Sequence, residues 1–192
     1  EYIKDKFTQT SEYEKKIFND NIFKNFVELF DLKEPLKIGS YISKENEVCS
    51  KQINNYILEK DSELFLPKIY ENQKQKKIKF FRFRKNDSLT KGKYNLMEPI
   101  SLRKPFKPNY LDFIIIPVRA INKANKRLGF GGGFYDRSLK SVDKLKFLSL
   151  CYEFQYNLPF KADCHDLELT TLIYPCGYFK KAWYPLFLVT LT

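Results

Sequence analysis

At 192 residues, 43% of them hydrophobic, the chain is long enough for one domain with a full core. Lys and Arg outnumber Asp and Glu by 34 to 23, and the formal charge of +11 points to anionic partners (nucleotides, nucleic acid or polyanionic small molecules), although a Lys-, Asn-, Ile- and Phe-rich genome would produce the same bias. No apolar run spans a bilayer, the longest being 182–192, and Cys49, Cys151, Cys164 and Cys176 fit neither a zinc site nor a disulfide frame, so scattered reduced thiols in a cytoplasmic setting are expected.

In chain order, Ser11 with Glu14 three residues on reads as a capping box. Behind it Phe18, Ile22, Phe26 and Phe30 recur every fourth residue, so the spacing predicts an amphipathic helix to about Phe30, closed by Pro35. Leu36 to Ile42 reads as a strand, Ser50 to Lys60 as a short helix, and Leu64 to Leu66 as a second strand ended by Pro67. From Lys74 to Lys85 basic and apolar residues alternate, the pattern of a strand with one wet, basic face. Asp87 to Pro108, with its turn residues and prolines, reads as a linking segment. Phe113-Ile114-Ile115-Ile116 is the continuous apolar run of a strand buried on both faces. A polar loop, Asn122 to Lys126, follows. A helix is expected from about Tyr135, then strands at Phe147–Phe154 and Leu167–Tyr174. Strands and helices alternate without internal repeats, which predicts an α/β fold: a single three-layer domain over 1–192 with a largely parallel central sheet flanked by helices. The last residues, about 180–192, read as an extra C-terminal tail.

Between the buried strand and the expected helix lies the most informative stretch, Arg127-Leu128-Gly129-Phe130-Gly131-Gly132-Gly133-Phe134-Tyr135-Asp136-Arg137. Four of the seven glycines fall here within five positions. Such a run can turn its N–H groups toward a ligand and let it approach the backbone closely, and phosphate is the obvious ligand. Arg127 and Arg137 add positive charge, and Asp136 supplies a carboxylate of the kind a phosphate-bridging Mg²⁺ requires. The bland alternative is a flexible glycine turn. The loop is neither a Walker loop nor a dinucleotide fingerprint, because the residues that follow do not match. Elsewhere, His165 reads as structural, whereas Asp166 is a second carboxylate that could join Asp136 on one metal. Tyr41-Ile42-Ser43 and Glu47 leave a strand end and read either as a pocket wall or as an ordinary polar turn. The basic strand reads either as a nucleic-acid platform or, the better-supported reading, as an edge strand guarded by charge.

Together these residues resemble the 5-formyltetrahydrofolate cyclo-ligase family, also called 5,10-methenyltetrahydrofolate synthetases. The stretch 127–137 is similar to the family signature at nearly every position. Ile114-Ile115-Ile116-Pro117, Tyr41-Ile42-Ser43 with Glu47-Val48, Leu66-Pro67, Glu98-Pro99, Leu158-Pro159 and His165-Asp166-Leu167-Glu168-Leu169 fall at its other landmarks, over roughly residues 6–178. The resemblance implies an ATP- and Mg²⁺-dependent ring closure of 5-formyltetrahydrofolate to 5,10-methenyltetrahydrofolate through a phosphorylated formyl group, with release of ADP and phosphate. It assigns ATP binding to Lys6, Arg127, Leu128, Gly129, Phe130, Gly131, Gly132, Gly133, Phe134 and Tyr135. Folate binding falls to Ile42, Glu47, Phe130, Gly131, Gly132, Gly133 and Phe134, catalysis to Arg127 and Asp136, and Mg²⁺ to Asp136 and Asp166. A monomer acting on a folate, polyglutamylated or not, is expected, with no membrane partner. A non-catalytic nucleic-acid-binding relative of the same fold is the alternative. The chain departs from the family pattern at Arg119 (usually apolar), Asn122 (usually Asp) and Thr170 (often Asp). Of the family's N-terminal basic helix only Lys4 and Lys6 have counterparts.

Overall fold

The computed structural model describes residues 1–73, 75–100, 103–163 and 165–180; Lys74, Cys164 and the expected tail from 181 onward lie outside them. The helices are α1 (Tyr2–Gln9), α2 (Glu12–Leu29), α3 (Lys51–Glu59) and α4 (Phe134–Ser138). The strands are β1 (Lys37–Gly39), β2 (Glu63–Glu71), β3 (Lys76–Phe83), β4 (Leu89–Lys91), β5 (Met97–Pro99), β6 (Phe113–Ile115), β7 (Ala120–Ile121), β8 (Arg127–Leu128), β9 (Phe147–Leu150), β10 (Thr171–Tyr174) and β11 (Gly177–Lys180).

Seven strands form one sheet in the order β11-β10-β9-β6-β1-β2-β3, parallel from β10 to β2 with an antiparallel strand at each edge. The α/β class and the largely parallel sheet are therefore as the sequence predicts. Helices α1, α2 and α3 bury Phe7, Ile22, Phe26, Ile53 and Ile57 on one face, against Ile38, Leu64, Leu66, Ile115 and Leu148. The opposite face holds Ile114, Ile116, Phe80, Leu172 and Leu139. Adjacent isoleucines of β6 thus enter different cores, as an uninterrupted apolar run requires. The capping box forms as its spacing predicts: Ser11 Oγ accepts the Glu14 N–H at 3.2 Å and the Glu14 carboxylate accepts the Ser11 N–H at 2.9 Å.

Several boundaries differ from the sequence expectation, each for a local reason. Strand β1 stops at Gly39, not Ile42, because the Tyr41 carbonyl accepts the Ser50 hydroxyl at 2.6 Å and the Asn54 amide at 2.9 Å instead of a ladder bond. Strand β2 runs through Pro67 to Glu71. Glu63 N donates to Leu36 and Phe65 O accepts from Ser40, so alternate residues from 63 face the β1 side; β1 has ended by Pro67, and its missing donor costs no ladder bond. The expected linker 87–108 contains the β4–β5 hairpin, and the polar loop 122–126 is the turn of a second hairpin, β7–β8. Strand β9 ends at Leu150, after which Tyr152 N donates to Gln155 Oε1 in a tight turn. The last expected strand is split: Glu168 makes an isolated antiparallel bridge with Lys126, while Thr171–Tyr174 joins the main sheet and folds back into the unanticipated β11. At the other end, α1 packs Ile3 and Phe7 into the core, Phe7 meeting Tyr152 and Phe154 at 5.5 and 5.1 Å.

Edge strand β3 is guarded by more than charge. Lys76 O accepts from Arg137, Ile78 N donates to Ser138 Oγ, Phe80 O accepts the Phe106 N–H, and Arg82 O accepts from Arg103. These groups occupy the face on which another strand would have to pair.

Candidate active site

From β1 the chain crosses over α3 to β2 on one side, while β6 lies on the other. The carboxyl ends of β1 and β6 therefore form the switch point at which open α/β sheets hold ligands. A cavity of about 330 Å³ opens there. Tyr41, Ile42, Lys44 and Glu47 line it from the loop after β1, Pro117 from the end of β6, Pro67 and Ile69 from β2, and Ile78 from β3. Leu96, Met97 and Glu98 come from the β4–β5 hairpin, residues 127–136 from the glycine stretch, and Asp163 and Asp166 from the late acidic turn.

Arg127 anchors the glycine stretch. Its side chain is 3% exposed, with Nη1 donating to Pro117 O at 3.0 Å and Nη2 to Asp136 Oδ2 at 2.9 Å, while the guanidinium lies 5.6 Å from the Tyr135 ring centre. Nε is buried with no acceptor among the described residues. Asp136 is tied a second time, Oδ1 accepting the Leu167 N–H at 3.3 Å, which joins the glycine loop to the late acidic turn. Gly131 and Gly133 adopt φ of +84° and +59°, the left-handed region that a Cβ disfavours, so the loop's course depends on glycine there. The helix that follows has only five residues and begins at Phe134, so any anion on the loop is held by loop N–H groups rather than by a developed helix dipole.

On the loop after β1, Glu47 folds back so that its Oε2 accepts the Lys44 N–H at 2.8 Å. Burial nonetheless holds its carboxyl above the ordinary glutamate range, the Lys44 N–H and ammonium pulling the other way. Burial beside Glu47 likewise raises the phenols of Tyr41 and Tyr135, keeping both neutral. Lys44 Nζ donates to Tyr94 O at 3.0 Å, and the Tyr94 ring stands edge-on to Phe134 at 5.8 Å, so the hairpin turn bridges the Glu47 loop and the glycine loop.

Of the residues singled out from sequence, Ile42, Glu47, all of 127–136 and Asp166 meet on this one cavity. Lys6 does not: it lies on α1 with its ammonium 5.7 Å from the Tyr2 ring centre, and it is not among the lining residues. Asp136 and Asp166 share the cavity wall, but no group of three potential metal ligands forms among the described residues. Two carboxylates still suit Mg²⁺, which takes hard oxygen ligands, commonly one or two carboxylates completed by substrate phosphate. Tyr41 lines the cavity, as the pocket-wall reading of its segment has it; Lys44, Asp163 and the Leu96–Glu98 wall were missed, and the Glu98-Pro99 landmark and the acid three residues before Asp166 were the available signals. The basic strand is largely spoken for internally, with Lys76 paired to Glu71, Arg82 to Glu63, and Lys79 4.3 Å from the Tyr70 ring centre. Two of the departures also have local explanations. Asn122 Oδ1 accepts the N–H groups of Ala124 and Lys126, as an Asp oxygen would. Thr170 is buried with its hydroxyl against the carbonyls of Lys144, Leu145 and Phe147, where a carboxylate would meet only acceptors.

The sequence profile of the 5-formyltetrahydrofolate cyclo-ligase family matches residues 3–175. The chain belongs to that family. A Haemophilus influenzae protein named 5-formyltetrahydrofolate cyclo-ligase is 26% identical over 144 residues, 72% of this chain and 76% of its own length. Its Mycoplasma genitalium namesake is 47% identical over 68 residues, 34% of this chain and 40% of its own. Among solved structures, a 5,10-methenyltetrahydrofolate synthetase from Mycoplasma pneumoniae superposes with a TM-score of 0.70 at 25% identity, covering 90% of this chain and 94% of that one. The synthetase from Aquifex aeolicus gives 0.78 at 24%, covering 100% and 95%, and speaks to the fold. No helix of the described residues is long and apolar enough to cross a membrane. The described cysteines Cys49, Cys151 and Cys176 are free, and burial pushes the Cys151 thiol up to about 12.

Proposed function

We propose that this cyclo-ligase family member uses ATP and Mg²⁺ to close 5-formyltetrahydrofolate to 5,10-methenyltetrahydrofolate. The observation that carries the reading is Arg127, a buried guanidinium with two of its nitrogens committed and Nε free of any described acceptor, on the wall of a cavity shared by the glycine loop and Glu47. A phosphate oxygen of ATP is the chemically fitting acceptor. Loop N–H groups of 129–133 would hold the β- and γ-phosphates. Asp136 and Asp166 would hold Mg²⁺, which when bound neutralises phosphate charge.

The formyl oxygen is a poor leaving group, so it first attacks the γ-phosphorus. The bond to the β-phosphate oxygen breaks and ADP departs. The N10 lone pair then adds to the activated formyl carbon, the C–O bond breaks, inorganic phosphate leaves with the former formyl oxygen, and N10 gives up its proton. The protein's part is to align the two reactants and shield the charge that moves between them. Glu47 would accept N–H donors of the pterin, while Ile42, Ile69 and Ile78 supply an apolar wall for it. The reading takes the enzyme to be a monomer in the cytoplasm.

The test is spectroscopic. Protein, 5-formyltetrahydrofolate, ATP and Mg²⁺ should together produce the methenyl chromophore with one ADP per turnover, and omitting any component should abolish it. A protein that binds single-stranded oligonucleotides tightly but forms no methenyl product would overturn the proposal.

A further inference from the structure

Glu98 is 4% exposed and yet lies on the cavity wall. It belongs to β5, and its Oε1 accepts the Ile69 N–H at 2.9 Å, on the edge of β2 left open where β1 has ended. The carboxylate packs directly on Gly92: a Cβ there would sit 2.5 Å from Oε2, so the absence of a side chain at 92 is what makes room for it. Among the described residues no cation pairs with Glu98 and no donor reaches Oε2. A structural tie between β5 and β2 needs only one neutral acceptor, which an amide oxygen supplies equally well. A buried negative charge with lone pairs to spare is costly unless a donor completes it.

We infer that Glu98 is a second substrate-binding carboxylate, accepting an N–H of the reduced pterin in the cavity it lines together with Glu47. The inference rests on the folate reading of this cavity and adds a specificity residue to it. The pterin of 5-formyltetrahydrofolate presents N–H groups on both rings. Glu47, with one oxygen already committed to the Lys44 N–H, leaves donors for a second acceptor.

Glu98→Gln keeps the shape and an oxygen for Ile69 N but removes the charge and puts an NH₂ donor where the free carboxylate oxygen was. Calorimetric titration with 5-formyltetrahydrofolate, without ATP, should show affinity reduced roughly ten- to hundredfold, the KM for ATP unchanged and the thermal midpoint close to wild type. Unchanged folate affinity with a lowered midpoint would overturn the inference and leave Glu98 a purely structural tie, while the proposed function stands. Wild-type protein that does not bind 5-formyltetrahydrofolate at all would overturn both. If Glu98→Gln does not fold, Gly92→Ala carries the test, because it displaces the same carboxylate without removing it. Weakened folate binding with ATP unaffected supports the inference, and wild-type folate affinity contradicts it.

Discussion

Asp136→Asn separates the structural tie that one carboxylate makes from the metal and phosphate role proposed for it. In the native chain Asp136 accepts from two donors, Arg127 Nη2 at 2.9 Å and Leu167 N at 3.3 Å. Asparagine has one oxygen and can serve only one of them; its NH₂ then faces the other donor. Removing one charge from a fully buried ion pair costs about 3–5 kcal/mol. Asp136 keeps 17% exposure and the amide retains one acceptor, so a loss of about 1.5–3 kcal/mol is the better expectation. At roughly 2–4 °C per kcal/mol for a chain of this size, the unfolding midpoint should fall by roughly 3–12 °C. Turnover, measured well below that midpoint at saturating Mg²⁺, should fall by a further factor on the order of 10²–10³, the usual cost of deleting one preorganised electrostatic contact. A double-mutant cycle with Arg127→Met should show coupling between the two positions. An unchanged midpoint would refute the buried pair, and near-normal turnover at saturating Mg²⁺ would remove Asp136 from the metal and phosphate chemistry.

Glu47→Gln should raise the KM for folate by roughly ten- to hundredfold and leave that for ATP alone, and a shift confined to ATP would contradict the pocket assignment. Because burial raises the Glu47 pKa, its useful, ionised form is lost as pH falls through that raised value. Folate affinity should therefore weaken from a higher pH than an ordinary glutamate would give, and Glu47→Gln should abolish this acid limb. The stability sign is opposite: a raised carboxyl pKa favours folding most below the unfolded value and loses that contribution as pH rises, so the same variant should be no less stable near neutrality. With a charge of +11, attraction of a polyglutamylated folate should make its kcat/KM fall more steeply with salt than that of the monoglutamate, and Lys77→Glu with Lys79→Glu should narrow the gap; equal salt slopes would refute this.

The parts of this molecule that were legible in its sequence are those with local causes. The Ser11 capping box, the apolar run before Pro117 and the glycine stretch each carry their structural reason within a few residues. What escaped depends on partners distant in sequence. Strand β1 is cut short by hydrogen bonds from Ser50 and Asn54, Pro67 is tolerated because β1 has ended beside it, and β11 exists only against β10. The site divides the same way. Glu47 and Asp136 stand in recognisable stretches, whereas the Arg127–Asp136–Leu167 tie and the arrival of Glu98 on the cavity wall arise from the fold alone. Lys6 shows the converse, since a position matched by resemblance is held on α1 and is not among the cavity-lining residues.

The most direct measurement follows the formyl oxygen. With 5-formyltetrahydrofolate labelled at that atom with heavy oxygen, and ATP and Mg²⁺ supplied, one label should appear in inorganic phosphate for each methenyl product formed. Methenyl product accompanied by unlabelled phosphate would contradict phosphoryl transfer to the formyl group, and with it the role given to the glycine loop and Arg127.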